Sequence, residues 1–366
     1  MAGRVVLFGA TGYTGRLVAE RMVARGMQPL LAARRREPLE AMAAELGGLE
    51  TRLADVARPD SVAQLVEQDD VLVTTVGPFA RWGGPALDAA IGAGAHYLDS
   101  TGEPAFIRRV FEREAPHAQA SDSALLTALG YDWVPGNLAG GLALKRAGDA
   151  ARRVRIGYFM RGGGGGMSGG TRASSAGAFL EPQFAWRGRR LVNERGGARV
   201  AAFDVGGHSR QALSVGASEH FGLPAAFPGL REVDVYLGWF GGATRALSGF
   251  SLGLSGLMRL PGARNAADAL FSRMVKGSTG GPSAEERAKG GSEIVAEALS
   301  GDGTALSRVR LSGVDGYTFT GAMLAWAAER AAAGEVAGRG ALGPVEAFGL
   351  DRLQAGVAEA GIAVAE

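Results

Sequence analysis

A doubly wound parallel α/β sheet, with a second α+β mixed-sheet domain inserted before the C-terminal helices, is the fold that three features of this 366-residue chain predict. The first is a glycine-rich turn set between a wholly apolar strand and an amphipathic helix near the start of the chain. The second is a regular alternation of short apolar runs and helical stretches as far as residue 130. The third is a change of texture beyond it, where strand-like segments crowd together and helices thin out. The length favours two domains.

The opening strand, Arg4 to Phe8, carries a continuous apolar run from Val5 to Phe8 of the kind buried on both faces of a parallel sheet. Gly9-Ala10-Thr11-Gly12-Tyr13-Thr14-Gly15 follows, and then Leu17, Val18, Met22 and Val23 recur at helical spacing up to Gly26. Glycines at 9, 12 and 15 permit a tight turn, close approach of a pyrophosphate and packing of helix on sheet, so this is read as a Rossmann nucleotide site with the phosphates at the helix N-terminus. The cofactor-binding residues expected here are Gly9, Thr11, Gly12, Tyr13, Thr14 and Gly15.

The next strand, Pro29 to Ala33, runs into Arg34-Arg35-Arg36. An NAD-specific domain would carry an acid there for the ribose 2′-hydroxyl. Arginine favours a 2′-phosphate, so Arg34 and Arg35 point to NADP(H), while Arg36 reads as a solvated helix start. Further strands are expected at Thr51 to Ala54, Val71 to Val76 and His96 to Leu98. They close on Asp55-Val56, on Gly77-Pro78-Phe79 and on Asp99. Ligands lie beyond the carboxyl ends of such strands, which brings Asp55 and Val56 to the adenine end and Gly77, Pro78 and Phe79 to the nicotinamide side. Each could equally be a strand-ending turn residue.

A sixth strand, Ala124 to Leu129, leads through Gly130-Tyr131-Asp132-Trp133-Val134-Pro135-Gly136 into a helix from Leu138 to Arg146. The domain boundary is placed here: residues 1–130 and 317–366 form the dinucleotide-binding domain, and 131–316 the domain for substrate and oligomer contacts. In the latter, strands are read at Val154 to Met160, Arg199 to Asp204, Gln211 to Val215, Val233 to Leu237 and Arg308 to Leu311. The glycine run at 162–166 reads as a loop, and Ser283 with Glu286 as a capping box. Helices are expected from Tyr317 to Ala333 and Gly349 to Ala360. The segment 235–258 carries Arg245 as its one charge and is long enough to cross a bilayer. Its glycines argue instead for a core or dimer element, with peripheral membrane contact as the other reading.

With 46% hydrophobic and 21% charged residues the composition is that of a globular protein, and a net charge of +2 gives no reason to expect nucleic acid as a partner. There are no cysteines and only 4 histidines, so neither thiolate chemistry nor a metal site is expected. No basic leader, apolar core and cleavage site precedes the first strand, so a cytoplasmic location is expected, with membrane association depending on 235–258.

The order of motifs resembles the saccharopine dehydrogenase-like family: Gly9 to Gly15, Val76 to Phe79, Gly94 to Asp99 with Gly102-Glu103, and Gly130 to Pro135. Ser168-Gly169-Gly170-Thr171, Gly316-Tyr317 and Gly343-Pro344 to Leu350 are similar to its later landmarks. The resemblance implies NADPH-dependent reduction of a C=N or C=C bond in a small-molecule substrate. It includes trans-acting enoyl reductase-like members, and it implies a homodimer. The apolar 235–258 segment tilts the expectation toward a hydrophobic or carrier-bound substrate. A non-catalytic NADP(H) sensor and a membrane-surface lipid-metabolism protein are the alternatives.

Reduction needs a proton donor beside the hydride. The lysines are Lys145, Lys276 and Lys289, and none follows a tyrosine by four, which excludes a Tyr-x-x-x-Lys pair. The candidates are Tyr97, Asp99 and Asp132, the last shielded by Trp133. Their other readings are a core aromatic, a strand-ending turn residue and a helix-entry residue.

Overall fold

The computed structural model describes residues 3–162, 183–239, 241–257 and 280–365. Two compact units emerge. The first comprises Met1–Gly102, Phe106–Val134 and Gly316–Gly361, and the second Glu103–Ala105, Pro135–Asp315 and Ile362–Glu366.

The first unit is built on a parallel sheet. Strands β1 (Val5–Phe8), β2 (Leu30–Ala33), β3 (Thr51–Leu53), β4 (Val71–Thr74), β5 (His96–Asp99) and β6 (Ala124–Leu126) are joined at one edge by the short strand Gly340–Ala341. Their spatial order is β3, β2, β1, β4, β5, β6 and then Gly340–Ala341, all parallel. The chain leaves β1 toward β2 and β3, then crosses to β4 on the other side. That reversal is the switch point at which open α/β sheets bind their ligands. β1, β2, β4 and β5 are buried along their whole length, which is why β1 and β2 read as unbroken apolar runs and β4 as one up to Thr74.

The Tyr13–Ala24 helix covers this sheet beside the long Gly316–Ala332 helix. The two pack closely because Gly321 has no side chain: a Cβ there would come within 3.1 Å of the Leu17 Cβ. Tyr13 meets Tyr317 edge-on at 5.1 Å, and Arg25 bridges Glu329 and Glu359. The C-terminal helices thus complete the first sheet, as the sequence led one to expect. The tail does otherwise: Ile362–Val364 pairs antiparallel in the second sheet, so 362–366 leaves the domain to which the sequence reading assigned it.

The second unit is a mixed sheet. It contains β7 (Arg153–Arg161), β8 (Gln183–Arg187), β9 (Arg190–Glu194), β10 (Val200–Val205), β11 (His208–Ser214), β12 (Glu232–Leu237), β13 (Gly291–Leu299), β14 (Ala305–Gly313) and the Ile362–Val364 strand. β12 runs parallel to β7, and the remaining pairs are antiparallel. A helix, Val134–Ala147, packs on β7 through Gly140, where a Cβ would lie 3.0 Å from Ile156. β13 escaped the sequence reading because glutamate and alanine disfavour strands. Its acids are balanced across the ladder, Glu293 by Arg310 at 2.8 Å and Glu297 by Arg155. The hairpin of β8 and β9 was not foreseen either.

The 235–258 segment is not one element. Val235 to Leu237 end β12, and a separate helix spans Thr244–Leu257. No helix among the described residues is long and apolar enough to cross a membrane. The glycine run beyond Gly162 and the Ser168 to Thr171 motif lie outside the described residues. The Ser283 capping box is present, with Glu286 N at 3.2 Å from Ser283 Oγ and Ser283 N at 2.7 Å from the Glu286 carboxylate.

One buried charge anchors the second sheet. Asp234 on β12 is wholly buried and receives Arg153 at 2.7 Å, Arg199 at 3.0 Å and Arg187. Burial alone would raise this carboxyl, but the three guanidinium groups outweigh it and hold it below the usual 3.8. Its stabilising contribution is therefore present above the ordinary carboxylate pKa and lost as pH falls through the depressed value. Asp234→Asn leaves the arginines facing one another and is expected to cost about 3 kcal/mol. Urea unfolding checks this, and an unchanged midpoint would contradict it.

Candidate functional site

The loops at the carboxyl ends of β1 to β6 form the candidate site, and the glycine turn is its most tightly specified part. Gly9 has φ +89°, and a Cβ there would collide with Val76 and Thr75 at 2.8 and 2.9 Å. Its carbonyl accepts Gly12 N at 2.9 Å and the Thr75 hydroxyl at 3.2 Å. A Cβ on Gly15 would fall 2.2 Å from that same carbonyl, so only glycine lets the helix begin this close to the strand. The Tyr13–Ala24 helix starts at Gly12 with no side-chain cap and no acid in its first turn. Open N–H groups and an unopposed helix dipole are what a pyrophosphate requires, so the turn fits a dinucleotide. Thr11, Tyr13 and Thr14 are half-buried around it.

Arg34 and Arg35 follow β2 and are exposed, with no described hydrogen bond or ion pair, whereas Arg36 is bound to Glu40 at 3.0 Å. Asp55 ends β3 in a closed turn, its carboxylate accepting Ala57 N at 3.0 Å, and Val56 packs partly on the core. After β4 the chain turns at Gly77 and Pro78 through a cis peptide. Phe79 points inward and packs against Phe106 at 5.7 Å. Its ring belongs to the core, so of this trio only the Gly77-Pro78 backbone remains to border a ligand.

The three proton-donor candidates are sorted by their surroundings. Tyr97 and Asp99 are wholly buried on β5. Asp99 Oδ1 accepts Thr101 N at 2.8 Å and Ala128 N at 2.9 Å, and Oδ2 accepts the Thr127 hydroxyl at 2.7 Å. Burial raises the Asp99 carboxyl to about 6 against the pull of these bonds. This is a clamp. It ties the loop after β5 to the loop after β6 and holds Ala128 at φ +60°, a left-handed conformation costly for alanine.

Asp132 lies on the loop so held, in the tight turn closed by Trp133 N to Ala128 O at 3.1 Å and Val134 N to Gly130 O at 3.1 Å. The Asp132–Trp133 peptide is cis. Asp132 Oδ1 is out of solvent and receives no hydrogen bond. Oδ2 rests against Gly102, where a Cβ would stand 3.0 Å away. Burial, with nothing to oppose it, pushes this carboxyl up to about 7. Sequence reasoning named Asp132 but missed Gly102, Thr127 and Ala128. An alanine in a left-handed conformation leaves no mark in sequence, and Gly102 was quoted only as part of a motif.

Comparisons with known proteins agree with this geometry. A family model described as NAD(P)H-binding matches residues 9–112. A Mycobacterium tuberculosis protein provisionally named a trans-acting enoyl reductase is 34% identical over 180 residues, covering 46% of this chain and 42% of that protein. A trans-acting enoyl reductase of Mycobacterium ulcerans is 34% identical over 142 residues, covering 37% of this chain and 34% of that one. The chain thus spans less than half the length of these relatives. Among solved structures, apo saccharopine dehydrogenase (L-Glu forming) from Saccharomyces cerevisiae aligns over 100% of both chains with a TM-score of 0.61 at 12% identity. The first unit is an NAD(P)H-binding Rossmann unit, and the whole chain has the saccharopine dehydrogenase fold, in line with the resemblance carried by its motifs.

Two outcomes follow for the carboxyls. Asp99→Ala strands three buried donors and is expected to cost about 3 kcal/mol or more in urea unfolding; a loss under about 1 kcal/mol would remove the clamp. For Asp132 the folded value lies above the unfolded 3.8, so its contribution to stability falls as pH rises from 3.8 to about 7, where only the unfolded chain has lost the proton, and levels off above that. Asp132→Asn is therefore expected to melt higher than the wild type at pH 8, with the gain shrinking toward pH 5. A lower melting temperature at pH 8 would contradict this.

Proposed function

We propose that this protein is an NADPH-dependent reductase that saturates a C=C or C=N bond of a small hydrophobic or carrier-bound substrate, with Asp132 as the proton donor. The observation that carries the reading is the buried, unpartnered Asp132 Oδ1 at the ligand-binding end of an NAD(P)H-binding sheet. The relatives named trans-acting enoyl reductases favour the C=C bond.

In this reading the Tyr13–Gly15 amides and the helix dipole hold the pyrophosphate, while Arg34 and Arg35 take the 2′-phosphate that distinguishes NADPH from NADH. The dinucleotide, when bound, supplies the hydride. Asp132 gives the accompanying proton from its carboxyl and recovers one from solvent, so that substrate gains one hydride and one proton in all. A carboxylic acid serves this purpose only while neutral. Lack of any hydrogen-bond donor to Oδ1 keeps Asp132 neutral up to about pH 7, in contrast to Asp99, whose oxygens are all engaged.

Turnover is expected to fall as pH rises through about 7, because the acid form disappears. Asp132→Asn is expected to lower kcat by about 10²- to 10⁴-fold with NADPH affinity unchanged. Arg34→Ala is expected to weaken NADPH at least tenfold and leave NADH alone, as measured by nicotinamide fluorescence titration. Full turnover by Asp132→Asn would end its role as donor. NADPH binding with no turnover across enoyl and imine substrates would leave the sensor reading in place.

A further inference from the structure

The arginines of the first unit divide into two populations. Most meet a carboxylate, as Arg4 meets Asp70, Arg16 meets Glu45 and Arg36 meets Glu40. Those whose side chains have no described hydrogen bond or ion pair are Arg21, Arg34, Arg35, Arg58, Arg81 and Arg113, and four of these six stand just beyond the carboxyl ends of β2, β3 and β4. Arg81 is separately engaged, lying over the Trp82 ring at 4.6 Å. Arg34, Arg35 and Arg58 remain, on two adjacent strand ends.

β2 and β3 are parallel neighbours with Ala33 opposite Leu53, and Ala54 N bonds Ala33 O at 3.1 Å. The residue after Ala33 is Arg34, and the residues after Ala54 form the turn Asp55 to Arg58. That turn is locked. Arg58 N donates to Asp55 O at 2.8 Å, Ala57 N to the Asp55 carboxylate at 3.0 Å, and Asp55 N to Ser61 Oγ at 3.0 Å. The Ser61 hydroxyl in turn donates to Arg58 O at 2.7 Å. The Asp55 carboxylate is engaged by the turn's own backbone and forms no described ion pair with Arg58. The fold thus places a third exposed arginine at the strand end next to the one that carries Arg34 and Arg35.

Three uncompensated cations at one sheet corner repel one another, and a dianion bound among them relieves that repulsion. Resting on the NADP(H) reading given above, we propose that Arg58 is a further specificity-determining residue, joining Arg34 and Arg35 around the 2′-phosphate. The function of the Asp55–Ser61 lock is then to fix the position of Arg58, and Asp55 acts through the turn.

The test is titration of the full chain with NADPH and NADH, comparing wild type, Arg34→Ala, Arg58→Ala and Arg58→Lys by nicotinamide fluorescence. The expected result for Arg58→Ala is a preference for NADPH over NADH reduced at least fivefold, NADH affinity unchanged, and partial recovery in Arg58→Lys. Unchanged NADH affinity also shows that the variant is folded. If Arg34→Ala loses the preference and Arg58→Ala keeps it, the role of Arg58 is refuted and the NADP(H) reading stands. If Arg58→Ala weakens both dinucleotides equally, Arg58 acts elsewhere on the cofactor and the proposal falls. If the wild type has no preference, the NADP(H) reading fails and takes the proposal with it.

Discussion

The geometry of the candidate site depends on one buried carboxylate. Asp99, at the end of β5, gathers two backbone amides and one hydroxyl from the loops after β5 and β6. Without that acceptor the amides of Thr101 and Ala128 would lose their carboxylate partner, and the left-handed conformation of Ala128 would lose one of the bonds that hold it. The turn that follows, from Gly130 to Val134, takes its direction from Ala128, since Trp133 N bonds the Ala128 carbonyl. Burying Asp99 costs free energy, visible in its raised carboxyl. That cost is offset by what it organises.

The same physics treats Asp132 in the opposite way. Both residues are aspartates at or beyond strand ends, Asp99 is wholly buried and the Asp132 Oδ1 is out of solvent, and both carboxyls are raised. The difference is hydrogen bonding. Asp99 is surrounded by donors that favour its charged form, whereas Asp132 Oδ1 meets none and the space beside Oδ2 is left open by Gly102. In the proposed reading, a structural residue and a proton donor are thus made from the same side chain by the donors around it. Asp234 in the second unit shows the third outcome, a buried aspartate held firmly ionised by three arginines.

Much of this was legible in the sequence, for identifiable reasons. The glycines at 9, 12 and 15 could be read because backbone crowding leaves no alternative residue, and the parallel strands because burial on both faces demands apolar runs. Strand ends were overrun where such runs continue into buried loops: Val76 packs against the core although β4 stops at Thr74, and Leu129 is buried although β6 stops at Leu126. Phe79 was read as bordering a ligand because it follows the carboxyl end of a strand; its ring packs on Phe106, which tertiary folding brings to it. β13 was hidden by its glutamates, whose arginine partners lie on other strands. Asp99 and Asp132 could not be told apart, because the donors that separate them are supplied by Thr101, Thr127 and Ala128 through the fold.

The most direct measurement is a carbon-13 NMR titration of the aspartate carboxyls in the full chain, with Asp132→Asn to assign the resonance. The account predicts that the Asp132 carboxyl titrates near 7 and is protonated at the lower end of the neutral range. A resonance titrating near the ordinary 3.8 would show that Asp132 is an ionised carboxylate with partners in solution. That result would remove the proton donor and contradict the account.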